Sequence, residues 1–140
     1  MKSYESKTLI GGRALVALGS SRNTQDTDYL VDDKSTKEMF LCDKENNIDY
    51  LNANGSKFFS EIYKLEAGKD IASPQSLLEL KAYALVQHCQ NMNWQKADDC
   101  EYDMKFLCRK FNLTETKIVN KYLAKSELKE VAKVINNVNR

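Results

Sequence analysis

The chain has 140 residues, of which 29% are charged and 9% are aromatic. These proportions are those of ordinary folded proteins and exclude an intrinsically disordered chain. No apolar run approaches the roughly 20 residues that a membrane-spanning helix needs, and the polar start M-K-S-Y-E-S-K-T lacks a signal-peptide core. We therefore expect one cytoplasmic domain over residues 1–140, with a single core and no membrane partner.

Charge and cysteine content set two further expectations. The net charge is +1, yet seven Lys and two Arg stand against three Glu from Lys105 onward. Such a basic end is typical of a nucleic-acid-facing surface or of solvated helix faces, and the second interpretation is the commoner one. The four cysteines form no C-x-x-C pair, so we expect reduced thiols in the core.

The first part of the chain alternates short apolar runs with polar turns, which is typical of strands with a short helix between them. The predicted elements are a strand at Ser6–Ile10, a helix at Gly12–Leu18, a strand at Thr27–Val31, and a hairpin of Lys37–Cys42 with Asn47–Leu51.

The rest of the chain shows helical periodicity. The predicted helices are Lys57–Leu65, Pro74–Asn91, Ala97–Phe111, and a tail from Thr114 to Asn137 that breaks near Ser126. Gln90–Gln95 is predicted to be a loop across which Trp94 packs. The fold class is therefore α/β (α+β), with a small mixed sheet flanked by helices, a core at residues 8–111 and a helical portion at 112–140.

Two aspartates open the predicted strand at Thr27–Val31. Side chains at positions i and i+2 of an extended chain share a face, so Asp26 and Asp28 would lie side by side. Carboxylates that close repel each other unless a cation joins them. Mg²⁺ prefers such oxygen ligands and leaves positions open for substrate phosphates. The alternative is a polar loop that happens to close with aspartates.

A Gly-Gly pair precedes these aspartates by thirteen residues. Glycine lets backbone N–H groups approach a phosphate closely, so Gly11 and Gly12 complete the features of a nucleotide site. Taken alone, the pair is equally typical of a tight strand-to-helix turn.

The two features at this spacing resemble the signature of the DNA polymerase β-like nucleotidyltransferase superfamily. The longer patterns G-G-x-A-L from Gly11 and R-x-T-x-D-x-D from Arg22 resemble one branch of it. That branch includes the nucleotidyltransferase toxins and antitoxins of bacterial abortive-infection systems and their small stand-alone relatives. The resemblance covers about residues 8–111 and implies a sheet of the nucleotidyltransferase type.

The resemblance implies transfer of a nucleoside monophosphate from an NTP to an acceptor hydroxyl, with two Mg²⁺ ions held by three carboxylates. Asp26 and Asp28 match two of them. Asp49, in the stretch I-D-Y-L, matches the third, which sits on a neighbouring strand and helps deprotonate the acceptor. The alternative for Asp49 is the exposed face of a hairpin.

The resemblance also implies a set of nucleotide-binding residues: Gly11, Gly12, Arg22, Thr24 and Lys81. The glycines would present backbone donors to the phosphates, Arg22 would supply positive charge and Thr24 would fix its loop. Lys81 falls in the pattern S-P-x-x-L-L-x-x-K-x-x-A from Ser73 and would hold the triphosphate as a point charge. The alternative is a lysine that extends from a helix edge to water.

The acceptor stays open among RNA (tRNA in particular), a protein hydroxyl and a small molecule. A different class of function is a non-catalytic interaction protein of the same fold, such as an antitoxin with a toxin partner or a phage-type accessory factor. The short chain favours this alternative, whereas intact carboxylates and glycines favour an enzyme. A lysine ridge at every fourth position from Lys117 to Lys133 would form either an RNA surface or a solvated helix face.

Overall fold

The structure, a computed structural model, describes residues 4–138. The chain divides into two compact units at the bond between Ser73 and Pro74. The first unit carries a four-stranded mixed sheet and the second is built from helices. The predicted mixture of helices and a small mixed sheet is therefore confirmed. No helix within residues 4–138 is long and apolar enough to cross a membrane.

The sheet of the first unit has the strand order β1-β2-β4-β3. The strands are β1 (Thr8–Ile10), β2 (Thr27–Val31), β3 (Phe40–Asp43) and β4 (Ile48–Asn52). The two central strands β2 and β4 run parallel, and each outer strand is antiparallel to its neighbour. The sequence predicted every one of these strands to within three residues, and predicted β2 with the bounds observed.

Two helices complete the first unit: α1 (Gly11–Ala17) directly follows β1, and α2 (Lys57–Glu66) follows β4. The Ser56 hydroxyl accepts the N–H of Phe59 at 3.3 Å, which caps the start of α2. The core of this unit is formed by apolar side chains of both helices and of β2, namely Ala14, Leu15, Leu30, Val31, Phe58, Phe59 and Ile62.

The hairpin turn sets the position of β2 beside β4. A short 3-10 turn at Lys44–Asn46 leads into Asn47, which adopts the left-handed conformation with φ +53°. Asparagine tolerates this region better than most residues. The Asn47 carbonyl accepts the N–H of Thr27 at 3.0 Å. The first residue of β2 is thereby held next to the first residue of β4.

The second unit contains α3 (Pro74–Gln90), α4 (Trp94–Phe111), a 3-10 turn at Val119–Tyr122 and α5 (Lys125–Asn136). Helical periodicity predicts one apolar stripe on each of α3 and α4. The stripe residues are buried at Leu78, Ala82, Leu85, Cys100, Met104, Leu107 and Cys108, whereas the last member of each stripe, Cys89 and Phe111, is only partly buried.

The predicted loop at Gln90–Gln95 is wrong. Trp94 is the first residue of α4 and its side chain is 60% exposed, so it does not pack across a loop. The connection is only residues 91–93, where Met92 takes φ +55°. The Asn93 carbonyl already accepts the N–H of Ala97 at 3.0 Å, which starts the helix three residues before the predicted start.

The predicted tail helix is confirmed after its predicted break near Ser126, where α5 spans Lys125–Asn136. Its first part, from Thr114, is wrong, because that segment forms only a 3-10 turn at Val119–Tyr122. The buried carboxylate of Glu79 accepts the N–H of Lys117 at 2.8 Å and that of Val119 at 3.0 Å. These bonds hold the segment before α5 outside a helix. Only three lysines of the ridge lie on α5, namely Lys125, Lys129 and Lys133.

The cysteine prediction holds for two of the four residues. Cys100 and Cys108 are buried, Cys89 is partly buried and Cys42 is exposed on β3; all four are free thiols. Burial raises the pKa of the Cys108 thiol to about 11, which leaves it protonated and unreactive at neutral pH.

Candidate functional site

The register of the sheet places Asp28 and Asp49 opposite each other. They are paired residues on the parallel neighbours β2 and β4, and paired residues of adjacent strands direct their side chains to the same face. Ile10 of β1 lies opposite Asp28 on the other side. Asp28 is half-buried, whereas Asp49 is exposed. Two of the three predicted carboxylates therefore share one face of the sheet.

The third carboxylate, Asp26, lies one residue before β2, and its side chain is exposed. The neighbouring Thr27 is anchored by its hydrogen bond to the Asn47 carbonyl. Asp26 is thus held at the start of the strand that carries Asp28, on the loop that leads into it.

The carboxylate of Asp28 lies directly against Gly11. A Cβ placed on Gly11 would overlap Oδ2 of Asp28 and would lie 2.9 Å from its Cγ, closer than real Cβ contacts allow. Gly11 also has φ +68°, a conformation that residues with a side chain adopt at a cost. The glycine is therefore required twice, once by its own backbone and once by the aspartate that packs on it.

The second glycine is covered by the loop between α1 and β2. A Cβ on Gly12 would lie 2.7 Å from the Nη2 atom of Arg22 and 2.8 Å from Oγ1 of Thr24. Arg13 reinforces this arrangement, because its Nη2 donates to the carbonyl of Gln25 at 3.1 Å. The loop thus folds back over the start of α1 and brings a guanidinium, a hydroxyl and the Asp28 carboxylate to the two glycines.

Lys81 belongs to the second unit, on α3. Its Nζ lies 2.9 Å from Oδ2 of Asp103 on α4, and the side chains are 16% and 0% exposed. Lys81 does not extend to water, as the simple alternative required; its charge is matched by a buried carboxylate. Its assignment to the triphosphate stays a prediction.

The donor set suits Mg²⁺ in its chemistry, because Asp26, Asp28 and Asp49 offer the carboxylate oxygens that this ion prefers. Among these three carboxylates, that of Asp28 has a defined position, because it packs directly on Gly11. Within residues 4–138, no three His, Cys, Asp or Glu side chains are grouped so that they could hold a metal ion together.

Sequence reasoning missed two residues that shape this unit. Arg13 occupies the variable position of G-G-x-A-L, and nothing in that pattern predicted its bond to Gln25. Asn52, fully buried at the end of β4, accepts the N–H of Asp33 at 2.8 Å and donates to the carbonyl of Glu38 at 3.0 Å. The only feature of the sequence that could have indicated the role of Asn52 is its position as a polar residue directly after an apolar stretch.

Comparison with protein-family models, curated proteins and solved structures found no match for this chain.

Proposed function

We propose that the first unit is a Mg²⁺-dependent nucleotidyltransferase that moves a nucleoside monophosphate from an NTP to an acceptor hydroxyl. The observation that carries the proposal is the packing of the Asp28 carboxylate on Gly11 beside the packing of Arg22 and Thr24 on Gly12. In the sequence these residues were connected only by a composite motif. In the folded chain they lie in contact with one another. A cytoplasmic location is part of the proposal, because NTPs are supplied there.

The glycines and the loop provide the phosphate-binding part. The loop side chains converge on Gly12, which is buried beneath them, so a phosphate would meet these side chains first and the glycine N–H groups only after they move aside. The guanidinium of Arg22 offers several N–H donors in a planar fork that matches phosphate oxygens. The Thr24 hydroxyl, which lies against the same glycine, adds a short polar contact and keeps the loop over α1.

The carboxylates provide the reactive part. The acceptor oxygen forms a bond to the α-phosphorus while the bond from that phosphorus to the bridging oxygen of the β-phosphate breaks, so that pyrophosphate leaves. Asp49, exposed on the same sheet face as Asp28, accepts the proton of the acceptor hydroxyl. Asp26, Asp28 and Asp49 would hold two Mg²⁺ ions only together with phosphate oxygens of the NTP, because the three side chains are not grouped closely enough to hold an ion by themselves. The ions would neutralise the triphosphate and stabilise the leaving pyrophosphate.

A second candidate is a non-catalytic interaction protein of the same fold, such as an antitoxin or an accessory factor. One observation favours it: within the part of the chain that the structure describes, the carboxylates do not form a ready three-member metal group. Such a protein has no need to bind an NTP together with Mg²⁺, which makes the two candidates separable.

The test is label transfer by the purified chain. The protein is incubated with each α-phosphate-labelled NTP, Mg²⁺, and either total RNA or a protein lysate, and the labelled class of acceptor is identified. The site variant is Asp26→Asn with Asp28→Asn, whose amides cannot neutralise the cation. The control is Asp98→Asn, an exposed aspartate on α4.

We expect transfer and Mg²⁺-dependent NTP binding in the wild type and the control, and loss of both in the site variant. Labelled RNA, labelled protein or a labelled small product would identify the acceptor class. Absence of both Mg²⁺-dependent NTP binding and label transfer in the wild type would favour the interaction protein. Equal NTP affinity in the wild type and the double variant would refute the site itself.

A further inference from the structure

The outer strand β3 presents unpaired backbone groups. The N–H of Asn52 donates to the carbonyl of Met39 at 2.8 Å, so Met39 directs its polar backbone groups toward β4. Residues of an antiparallel strand alternate between facing the partner and facing away. Phe40 and Cys42 therefore direct their N–H and C=O groups outward, and none of the described residues forms a hydrogen bond to them.

This edge has neither a proline nor a bulge to block pairing with another chain. Natural edge strands carry lysines, prolines or bulges that block a further strand. β3 reads F-L-C-D and is paired with β4 without interruption. Phe40 is 61% exposed and Cys42 is also exposed. The strand is thus suited to accept an additional strand.

An open groove of about 700 Å³ runs along the same strand and is lined by all four of its residues. Its charge is predominantly negative, since its walls also carry Asp33, Glu38 and Glu45 besides Asp43, with Lys44 as the balancing cation. A cationic segment would therefore find complementary charge along the edge.

Aromatic rings in the groove add a second feature that suits cations. Tyr4 and Tyr50 both line it, with ring centres 4.8 Å apart. Tyr50 stacks on Tyr29 at 6.2 Å, and the Nζ atom of Lys7 lies 4.6 Å from the centre of the Tyr29 ring. The protein already places a lysine on this group of tyrosines, as expected for a cation–π contact.

We infer that β3 is the docking edge for an extended basic peptide segment of a partner protein. The segment adds a strand by hydrogen-bonding to the outward groups of Phe40 and Cys42. Its Lys or Arg side chains lie along the acidic wall, on the side of the groove that Tyr4 lines. This surface uses none of the residues of the nucleotide site and does not depend on the proposed function.

The experiment is a binding titration under reducing conditions with a fluorescent peptide of about eight residues that alternates Lys and Val, a typical strand length. A Glu-Val peptide of equal length is the control ligand. Cys42→Pro removes the outward N–H without removing a bond to β4, and a matched Cys42→Ala keeps that N–H. Glu38→Gln with Glu45→Gln tests the charge separately, and the unfolding midpoint of each variant confirms that it is folded.

We expect binding of the Lys-Val peptide only, weakened about tenfold by Cys42→Pro and left within about twofold by Cys42→Ala. The double Gln variant should weaken binding and reduce its salt dependence. Equal binding of both peptides, no binding to the wild type, or unchanged binding by folded Cys42→Pro would overturn the inference. So would a wild-type dimer that Cys42→Pro dissociates, since a second copy would then be the occupant.

Discussion

The contact between Gly11 and Asp28 can be tested by adding a single methyl group. Gly11→Ala forces a side chain into a backbone with φ +68°, which costs roughly 1–2 kcal/mol. The new Cβ would also overlap the Asp28 carboxylate. Moving that carboxylate out of its preferred rotamer costs about 0.5–1.5 kcal/mol more. We expect a total loss of roughly 2–3 kcal/mol in the free energy of unfolding.

The first unit contains a matched control for the backbone part of this cost. Gly68 has φ +87°, and a Cβ there would meet nothing within 4 Å. Gly68→Ala should therefore lose only about 1–2 kcal/mol. The difference between the two variants, about 1 kcal/mol, measures the contact with Asp28. In an Asp28→Ala background this difference should shrink to within about 0.5 kcal/mol.

The assay is urea unfolding followed by circular dichroism, with the slope of the free energy against urea checked for constancy among the variants. Equal losses for Gly11→Ala and Gly68→Ala would contradict the contact between the carboxylate and Gly11. Asp28→Ala keeps the Asp28 Cβ, 3.0 Å from the added methyl group, so a small remaining difference is expected from that atom. A difference that persists in full would show that the carboxylate is not the group displaced.

Three further predictions concern other parts of the molecule. Gly12→Ala should change the free energy of unfolding by less than about 1 kcal/mol, because helix propensity favours Ala, yet it should weaken NTP binding in a titration by displacing the two loop side chains on that glycine. Lys81→Met should cost about 3 kcal/mol in urea unfolding, because it leaves the buried Asp103 carboxylate without this cation, whereas Lys105→Met, which breaks an exposed pair, should cost under about 0.5 kcal/mol. Burial and nearby lysines lower the pKa of His88 below 6.5, so the folded protein binds this proton less readily than the unfolded chain; thermal stability should fall as the pH drops below about 6.5, and an unchanged decline in His88→Gln would contradict this origin.

The elements around the candidate site were predictable because their patterns are local. Alternation of apolar and polar residues predicted both β2 and the hairpin arm that carries Asp49. A strand whose face is buried has a fixed register, since a shift by one residue would turn its apolar side chains to solvent. The observed pairing of Asp28 with Asp49 follows from Leu30 and Leu51, which are paired two residues further along.

The loop between α1 and β2 was predictable only as a loop. Its composition excludes regular structure but does not encode its path. A resemblance assigned Arg22 and Thr24 to the site, but only the structure shows them packed on Gly12. The bond from Arg13 to the Gln25 carbonyl had no sequence signal. Side-chain bonds to a distant carbonyl depend on where the backbone is already held, here by the pairing of Thr27 with Asn47.

The sequence by itself determined where helices and strands lie, because hydrophobic periodicity is a property of neighbouring residues. It could not determine where the helix of the tail begins, which is at Lys125. Lys117 lies in a run with good helical periodicity, yet its N–H and that of Val119 bind a carboxylate about forty positions earlier, that of Glu79. A buried carboxylate must be satisfied by donors, and the nearest ones are backbone groups that a helix would otherwise use. Only the tertiary structure decides that competition, since it depends on which buried polar group each segment meets.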